Sequence, residues 1–296
     1  MARAGVRFYN PRGVSNKRGH VVYRQQNRIT EPDPATARPA RDVDGPSPRH
    51  LPDALRFLTR VPVPGRLCAN VRLADAAWAF PLIGTMVGLA ASAVLLVTTA
   101  IGVPAPVAAT AAVAAATLMT GALHEDGLAD TFDGFGGATR EKRLAIMRAS
   151  DIGTYGITAL VLVLATRIAA LAVLVSRDVV AASVALMAAE TMSRAVMVGV
   201  WRALPPARED GLAAEGGRPS RVAVGYCGAF AFLALVLAAA AGPPPATALF
   251  ATVFAAIGAY ILAIAAARAI GGRTGDTLGA EQQLTLAVLL AGFSVA

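Results

Sequence analysis

The stretch Gly121-Ala-Leu-His-Glu-Asp-Gly-Leu-Ala-Asp-Thr-Phe-Asp-Gly-Phe-Gly-Gly137 holds four acids, Glu125, Asp126, Asp130 and Asp133. On a helix, the i, i+4, i+7 spacing of the three aspartates places them on one face. Like charges gathered in this way repel and call for a cation. A ligand set of carboxylate oxygens favours Mg²⁺, which takes one or two carboxylates and completes its shell with water and substrate phosphate. Asp126, Asp130 and Asp133 are therefore the expected metal ligands and catalytic carboxylates, and Glu125, about 100° round the helix, is a further ligand or base. A glycine-rich bend, Gly134-Phe-Gly-Gly137, leads into Thr139-Arg-Glu-Lys-Arg143. Arginine grips phosphate in a bidentate fork, so Arg140 and Arg143 are expected substrate-binding residues; positive-inside loop charge accounts for them equally well.

A second acidic site lies in Gly271-Gly-Arg-Thr-Gly-Asp-Thr-Leu-Gly-Ala280, where Asp276 is an expected metal ligand and Thr274 offers a hydroxyl to substrate. In a third stretch, Glu190-Thr-Met-Ser-Arg194, a carboxylate and an arginine stand at i, i+4 inside an apolar run. Such a pair is either a lock between helices or part of a substrate site facing a polar cavity.

The elements that must position these groups are membrane helices. Only 16% of the 296 residues are charged and 55% are hydrophobic, with mean hydropathy +0.56. An ordinary soluble domain carries about 25% charge. Apolar runs at roughly 76–100, 104–123, 155–175, 179–201, 222–241, 246–267 and 284–296 predict an all-α, polytopic bundle of about seven spans, within six to eight. The connections 124–154, 202–221 and 268–283 hold ten Lys/Arg, whereas the opposite connections hold only Arg177. The positive-inside rule then puts the N-terminus and the long connections in the cytoplasm. Eleven of the 13 acids after residue 76 fall in those same connections. Ala-rich runs such as 107–117 read either as close helix packing or as a high-GC coding bias.

The net charge of +8 is no nucleic-acid signal, because residues 1–50 carry 10 Lys/Arg against 4 Asp/Glu and the rest is nearly balanced. The composition of residues 1–52 predicts a disordered basic extension, and 53–296 a transmembrane catalytic domain. Cys68 and Cys227 imply neither a disulfide framework nor a zinc site.

Together with Phe57-Leu-Thr-Arg-Val-Pro-Val-Pro64, Phe80-Pro-Leu-Ile-Gly84, Asp151-Ile-Gly-Thr-Tyr-Gly156, Ser193-Arg194 and Ala207-Arg-Glu-Asp-Gly211, the two acidic stretches resemble the cobalamin synthase family, adenosylcobinamide-GDP ribazoletransferase. The resemblance covers about residues 54–290 in order. It implies a Mg²⁺-dependent, multi-pass enzyme of the bacterial inner membrane whose active site faces the cytoplasm. Such an enzyme joins adenosylcobinamide-GDP to α-ribazole or its 5′-phosphate, releases GMP, and takes membrane lipid and other late cobalamin-pathway enzymes as partners. By that carry-over Glu125, Asp126, Asp130, Asp133 and Asp276 serve metal and diphosphate, and Arg194 and Arg208 join the substrate-binding set. One departure is Gln282-Gln283-Leu284, where only the preceding Glu281 is acidic although a glutamate is expected. A UbiA-like prenyltransferase, a CDP-alcohol phosphotransferase and a transporter are the rival readings, the first two with different aspartate spacings.

Overall fold

The structure is a computed structural model that describes residues 45–149 and 151–295. Most of the expected N-terminal extension, residues 1–44, lies outside the described residues. The last part of the expected 1–52 segment is ordered. Pro48–His50 form a 3-10 turn and α1 spans Leu51–Leu58, so the folded part starts before residue 53. Pro52 suits a first helical turn, where no N–H partner is needed. Asp53 accepts from the Ala69 and Asn70 N–H groups at 2.8 and 3.0 Å, which ties α1 to the next loop.

The remaining helices are α2 (Leu73–Ala76), α3 (Phe80–Ala100), α4 (Ala105–Thr120), α5 (Leu123–Phe135), α6 (Arg140–Ile146), α7 (Thr154–Arg177), α8 (Val179–Ala203), α9 (Leu212–Glu215), α10 (Arg221–Ala241), α11 (Pro245–Ile270) and α12 (Gly275–Phe293). No β-strand occurs among the described residues, only a single bridge between Pro206 and Arg273. Five segments are long and apolar enough to cross a membrane: Leu73–Ala100, α7, α8, α10 and α11. The α4–α5 pair would make a sixth, but it is bent by 89°. Val161, Leu162, Phe232, Leu233, Phe250, Phe254 and Ile261 remain exposed on the outer helices, a surface suited to lipid.

Two expected spans change shape. The run 104–123 stops as a helix at Thr120, because Gly121 (φ +65°) and Ala122 (φ +57°) are both left-handed. The Ala122 N–H closes on the Thr117 carbonyl at 2.9 Å and that of Gly121 on Leu118 at 3.1 Å, the paired bonds of a helix ending in this way. A side chain at Gly121 would collide with that of Arg60, whose own N–H donates to Met119 O at 2.8 Å. Helix α5 therefore leaves the span direction and lies across the end of the bundle. The run 284–296 is the second half of α12, whose first half, with buried Glu281, Gln282 and Gln283, is enclosed by protein.

Helix α8 runs through the centre and is buried along most of its length. Gly88 lets α3 close on it, since a Cβ there would lie 2.6 Å from Met187 Cα. Ala108, Ala109, Ala112 and Ala116 are buried on one face of α4, which makes that alanine run a packing surface. The chain turns tightly at 101–104, 177–178 and 242–244, so α5, α6 and the loops at 204–220 and 271–274 gather at the opposite end.

Ala122 holds a Cβ in a conformation that suits glycine. Ala122→Gly is expected to raise stability by about 1 kcal/mol, the left-handed penalty less the added freedom of the unfolded chain. Gly121→Ala is expected to lower the thermal midpoint in detergent, and equal midpoints for the two variants would contradict this account of the bend.

Candidate active site

Helices α5 and α12 cross where each has a glycine. A Cβ on Gly127 would stand 2.8 Å from the Asp276 carbonyl oxygen, and one on Gly279 would stand 3.2 Å from that of His124. This contact carries the first turn of α12 to the acidic face of α5. That turn is fixed by a capping box, in which Thr274 Oγ1 accepts from the Thr277 N–H (3.2 Å) and Thr277 Oγ1 from the Thr274 N–H (2.9 Å). Thr274 is buried, and its hydroxyl serves both the cap and the Asp276 carboxylate, to which it donates.

Three of the expected carboxylates meet here: Asp126, exposed, and Asp130 and Asp276, both part-buried. Burial pushes the Asp130 carboxyl up to about 7, and the charges of Asp126, Asp276 and Asp133 push in the same direction. Burial also raises Asp126. Arg208 approaches Asp276 with Nη2 3.8 Å from Oδ2. Among the described residues no three His, Cys, Asp or Glu side chains stand close enough to form a metal cage. The all-oxygen donor set and the mutual repulsion at Asp130 nevertheless fit Mg²⁺, which brings waters and phosphate oxygens of its own rather than requiring a protein cage.

Other expected site residues are committed elsewhere. Asp133 accepts from the N–H groups of Gly153 (2.6 Å) and Gly156 (2.8 Å) and so holds the start of α7. A carboxylate at a helix N-terminus meets the unpaired donors and the positive end of the dipole. Both positions are glycine because a Cβ at either would strike the Asp133 carboxylate, which accounts for the two glycines of the 151–156 motif. Arg140 donates to the carbonyls of Ile270 (2.9 Å) and Ala207 (2.5 Å), and Arg143 to those of Gly137 (2.8 Å) and Ala269 (3.0 Å). They close the C-terminal end of α11. Of the five expected substrate-binding residues, Arg208 and Thr274 are the two that adjoin Asp276.

Glu125 points into the bundle. Its Oε1 accepts from Thr117 Oγ1 (2.9 Å) and lies 3.3 Å from Arg167 Nη1. Arg167 also donates to Gln283 Oε1 (2.7 Å), and its Nη2 lies 3.7 Å from Glu190 Oε1; Glu190 in turn pairs with Arg194. Gln283 donates to Gln282, and Gln282 to Ser193 Oγ, both at 3.0 Å. The Glu190–Arg194 pair is therefore a lock within the bundle, part of a network joining α5, α7, α8 and α12. Sequence reasoning passed over Arg167, although an arginine inside an apolar run is itself a sign of a buried partner.

Beside the three carboxylates is a cavity of about 210 Å³ bordered by Asp126, Arg208 and Asp276 and walled by Phe57, Phe80, Trp201 and Leu278. Phe57 and Phe80 stand in the family motifs, but their place at the cavity, like that of Trp201 and Leu278, was not readable, because nothing in an aromatic side chain's spacing separates a cavity wall from core. His124 lines the cavity as well, and its Nε2 is buried without a hydrogen-bond partner. Burial, then the charges of Arg194 and Arg167, hold its proton affinity well below that of an ordinary histidine.

A polytopic helical membrane protein with an acidic, arginine-bordered cavity at one end of its bundle is the class that this geometry defines. The sequence model of the cobalamin-5-phosphate synthase family matches residues 50–294, and the chain belongs to that family. Similar curated proteins are named adenosylcobinamide-GDP ribazoletransferase. That of Sinorhizobium medicae is 43% identical over 253 residues, covering 82% of this chain and 95% of the relative. That of Azorhizobium caulinodans is 45% identical over 250 residues (81% and 92%), and that of Bradyrhizobium diazoefficiens 44% over 239 residues (80% and 90%). No solved structure matches the chain.

Removing one member of a buried ion-pair network leaves uncompensated charge, at about 3–5 kcal/mol. Arg167→Met is expected to lower the thermal midpoint sharply, with the Arg167→Met/Glu125→Gln double variant recovering part of the loss. If Arg167→Met melted like the wild type, the network would have no structural weight. Asp133→Asn is likewise expected to lower the midpoint, since it weakens the hold on the start of α7.

Proposed function

We propose that this protein is an adenosylcobinamide-GDP ribazoletransferase. It joins adenosylcobinamide-GDP to α-ribazole or its 5′-phosphate, giving adenosylcobalamin or its 5′-phosphate and GMP, in the last steps of nucleotide-loop assembly. Family membership supports the reading. The observation that carries it is the meeting of Asp126 and Asp130 with Asp276, more than 140 residues away in sequence, beside a cavity. Membership of this family also sets aside the UbiA-like prenyltransferase, CDP-alcohol phosphotransferase and transporter readings.

The reaction is a displacement at phosphorus. A ribazole hydroxyl oxygen forms a bond to the cobinamide-linked phosphorus, the bond from that phosphorus to the GMP oxygen breaks, and the hydroxyl proton must be taken up. Such reactions gain most from positioning and charge neutralisation. Mg²⁺ bound to the diphosphate would take one or two ligands from among Asp126, Asp130 and Asp276 and would neutralise charge building on the phosphate oxygens. Arg208 is placed to stabilise the departing phosphate. Glu125, the further ligand or base expected from sequence, and Asp133, an expected catalytic carboxylate, are both engaged in buried contacts, so the proton passes to one of Asp126, Asp130 and Asp276.

The site faces the cytoplasm of a bacterium with the enzyme in its inner membrane. Support comes from the basic residues of the 202–221 and 268–274 connections and of α6, which lie at the same end as the carboxylates, whereas the opposite turns carry only Arg177.

Purified protein given adenosylcobinamide-GDP, α-ribazole and Mg²⁺ is expected to release GMP in step with cobalamin formation, and to stop on chelation of the metal. Asp130→Asn is expected to lower kcat by about 100-fold or more without lowering the thermal midpoint. Near wild-type turnover of Asp130→Asn at saturating Mg²⁺ would refute the assignment.

A further inference from the structure

The turn between α11 and α12 reads Gly271-Gly-Arg-Thr274, and its arginine is buried. A Cβ on Gly272 would strike the Pro205 carbonyl oxygen, so this glycine lets the chain at 205–207 lie directly against the turn. The Arg273 N–H donates to Pro205 O at 2.9 Å, and the Ala207 N–H donates to Arg273 O at 2.8 Å. The guanidinium reaches back to the same loop: Nε donates to Leu204 O (3.1 Å), Nη1 to Ala213 O (2.8 Å) and Nη2 to Gly217 O (3.1 Å). Gly217 O also accepts from Trp201 Nε1 at 3.0 Å, and the guanidinium lies over the Trp201 ring, 5.7 Å from its centroid.

Burying a guanidinium is costly unless its donors are satisfied. Here they are spent on main-chain carbonyls at both ends of one loop, which the planar fork of an arginine spans and the point charge of a lysine does not. Residues 208–212 lie between the two clamped ends. Asp210 ties this stretch to Arg148 in an ion pair at 2.7 Å, but the two side chains are 70% and 54% exposed, and such pairs hold little. Arg208 follows Ala207, whose N–H is bonded to Arg273, and its Nη2 lies 3.8 Å from Oδ2 of Asp276, three residues after Arg273. One residue thus holds both the segment that carries Arg208 and the turn that leads into Asp276.

We propose that Arg273 is a positioning residue: its backbone and guanidinium together clamp the 204–217 loop onto the start of α12, and so keep Arg208 facing Asp276 and the diphosphate. Arg273 acts through Arg208 and touches no reacting atom. This inference rests on the function and the role of Arg208 proposed above, and it can fail separately from them.

A double-mutant cycle on the kcat of GMP release tests it. Arg208→Ala is expected to lower kcat by about 100-fold, and Arg273→Met by about tenfold or more through misplacement of Arg208. The double variant is expected to match Arg208→Ala alone, because a misplaced side chain that has been removed costs nothing further. Arg273→Lys, which keeps the charge and loses the fork, is expected to recover only part of kcat, and it carries the same cycle if Arg273→Met does not fold. Losses that multiply in the double variant, or Arg208→Ala with wild-type kcat, would overturn the proposal. A second readout needs no turnover. Glu209 is exposed within the clamped loop, and cleavage after it by a glutamate-specific protease is expected to be several-fold faster in Arg273→Met than in wild type and unchanged in Arg208→Ala. Equal cleavage of Arg273→Met and wild type would overturn the clamp whatever the activity. Wild-type protein that cleaves as expected yet releases no GMP would overturn the functional reading, and the role of Arg208 with it, while leaving the clamp in place.

Discussion

The site depends on the close approach of α5 and α12 at Gly127 and Gly279. Helix axes come this near only where no Cβ intervenes, and the gain is positional. The first turn of α12, with Asp276, is set against Asp126 and Asp130 of α5. The left-handed pair Gly121-Ala122 turns α5 across the bundle end and so makes the crossing available. The Thr274–Thr277 capping box fixes the start of α12, and Asp133 fixes the start of α7 against the far end of α5. Each device serves to hold short polar elements at the end of an apolar bundle, where they cannot be held by burying their own hydrophobic faces.

Charge inside the bundle does the corresponding work along the spans. Glu125, Arg167, Glu190 and Arg194 are all buried, and they pair with one another and with Gln283. A charge buried alone in such a setting is costly, so the network strongly favours one arrangement of α5, α7, α8 and α12. Glu125 adjoins Asp126 in sequence but faces the other way. One of these neighbours anchors the helix and the other is presented to the cavity.

Much of this was legible in the sequence. Long apolar runs announced a helical membrane protein, and the partition of charge placed the acids and arginines at one end. The predicted topology put the 121–137 and 271–280 stretches at the same end of the bundle, and the α5–α12 crossing brings them side by side. What did not follow was the division of labour within the acidic stretch. Spacing alone put Asp133 on the face of Asp126 and Asp130, yet its carboxylate is taken by the N–H groups of Gly153 and Gly156, supplied by a distant helix start. Arg140 and Arg143 likewise read as phosphate ligands, and only the fold shows the carbonyls at the end of α11 that they meet. Tertiary partners of this kind leave no local mark. Arg167 did leave one, as a charge in an apolar run, whereas Trp201 is indistinguishable in sequence from ordinary core.

The central claim is that Asp126 and Asp276 act as one unit across the α5–α12 crossing. A double-mutant cycle on kcat/KM with Asp126→Asn, Asp276→Asn and the double variant tests it directly. Residues that share one cation and one diphosphate should be strongly non-additive, the double variant being little worse than the poorer single one. Losses that multiply independently would show that the two carboxylates serve separate sites and would contradict the account.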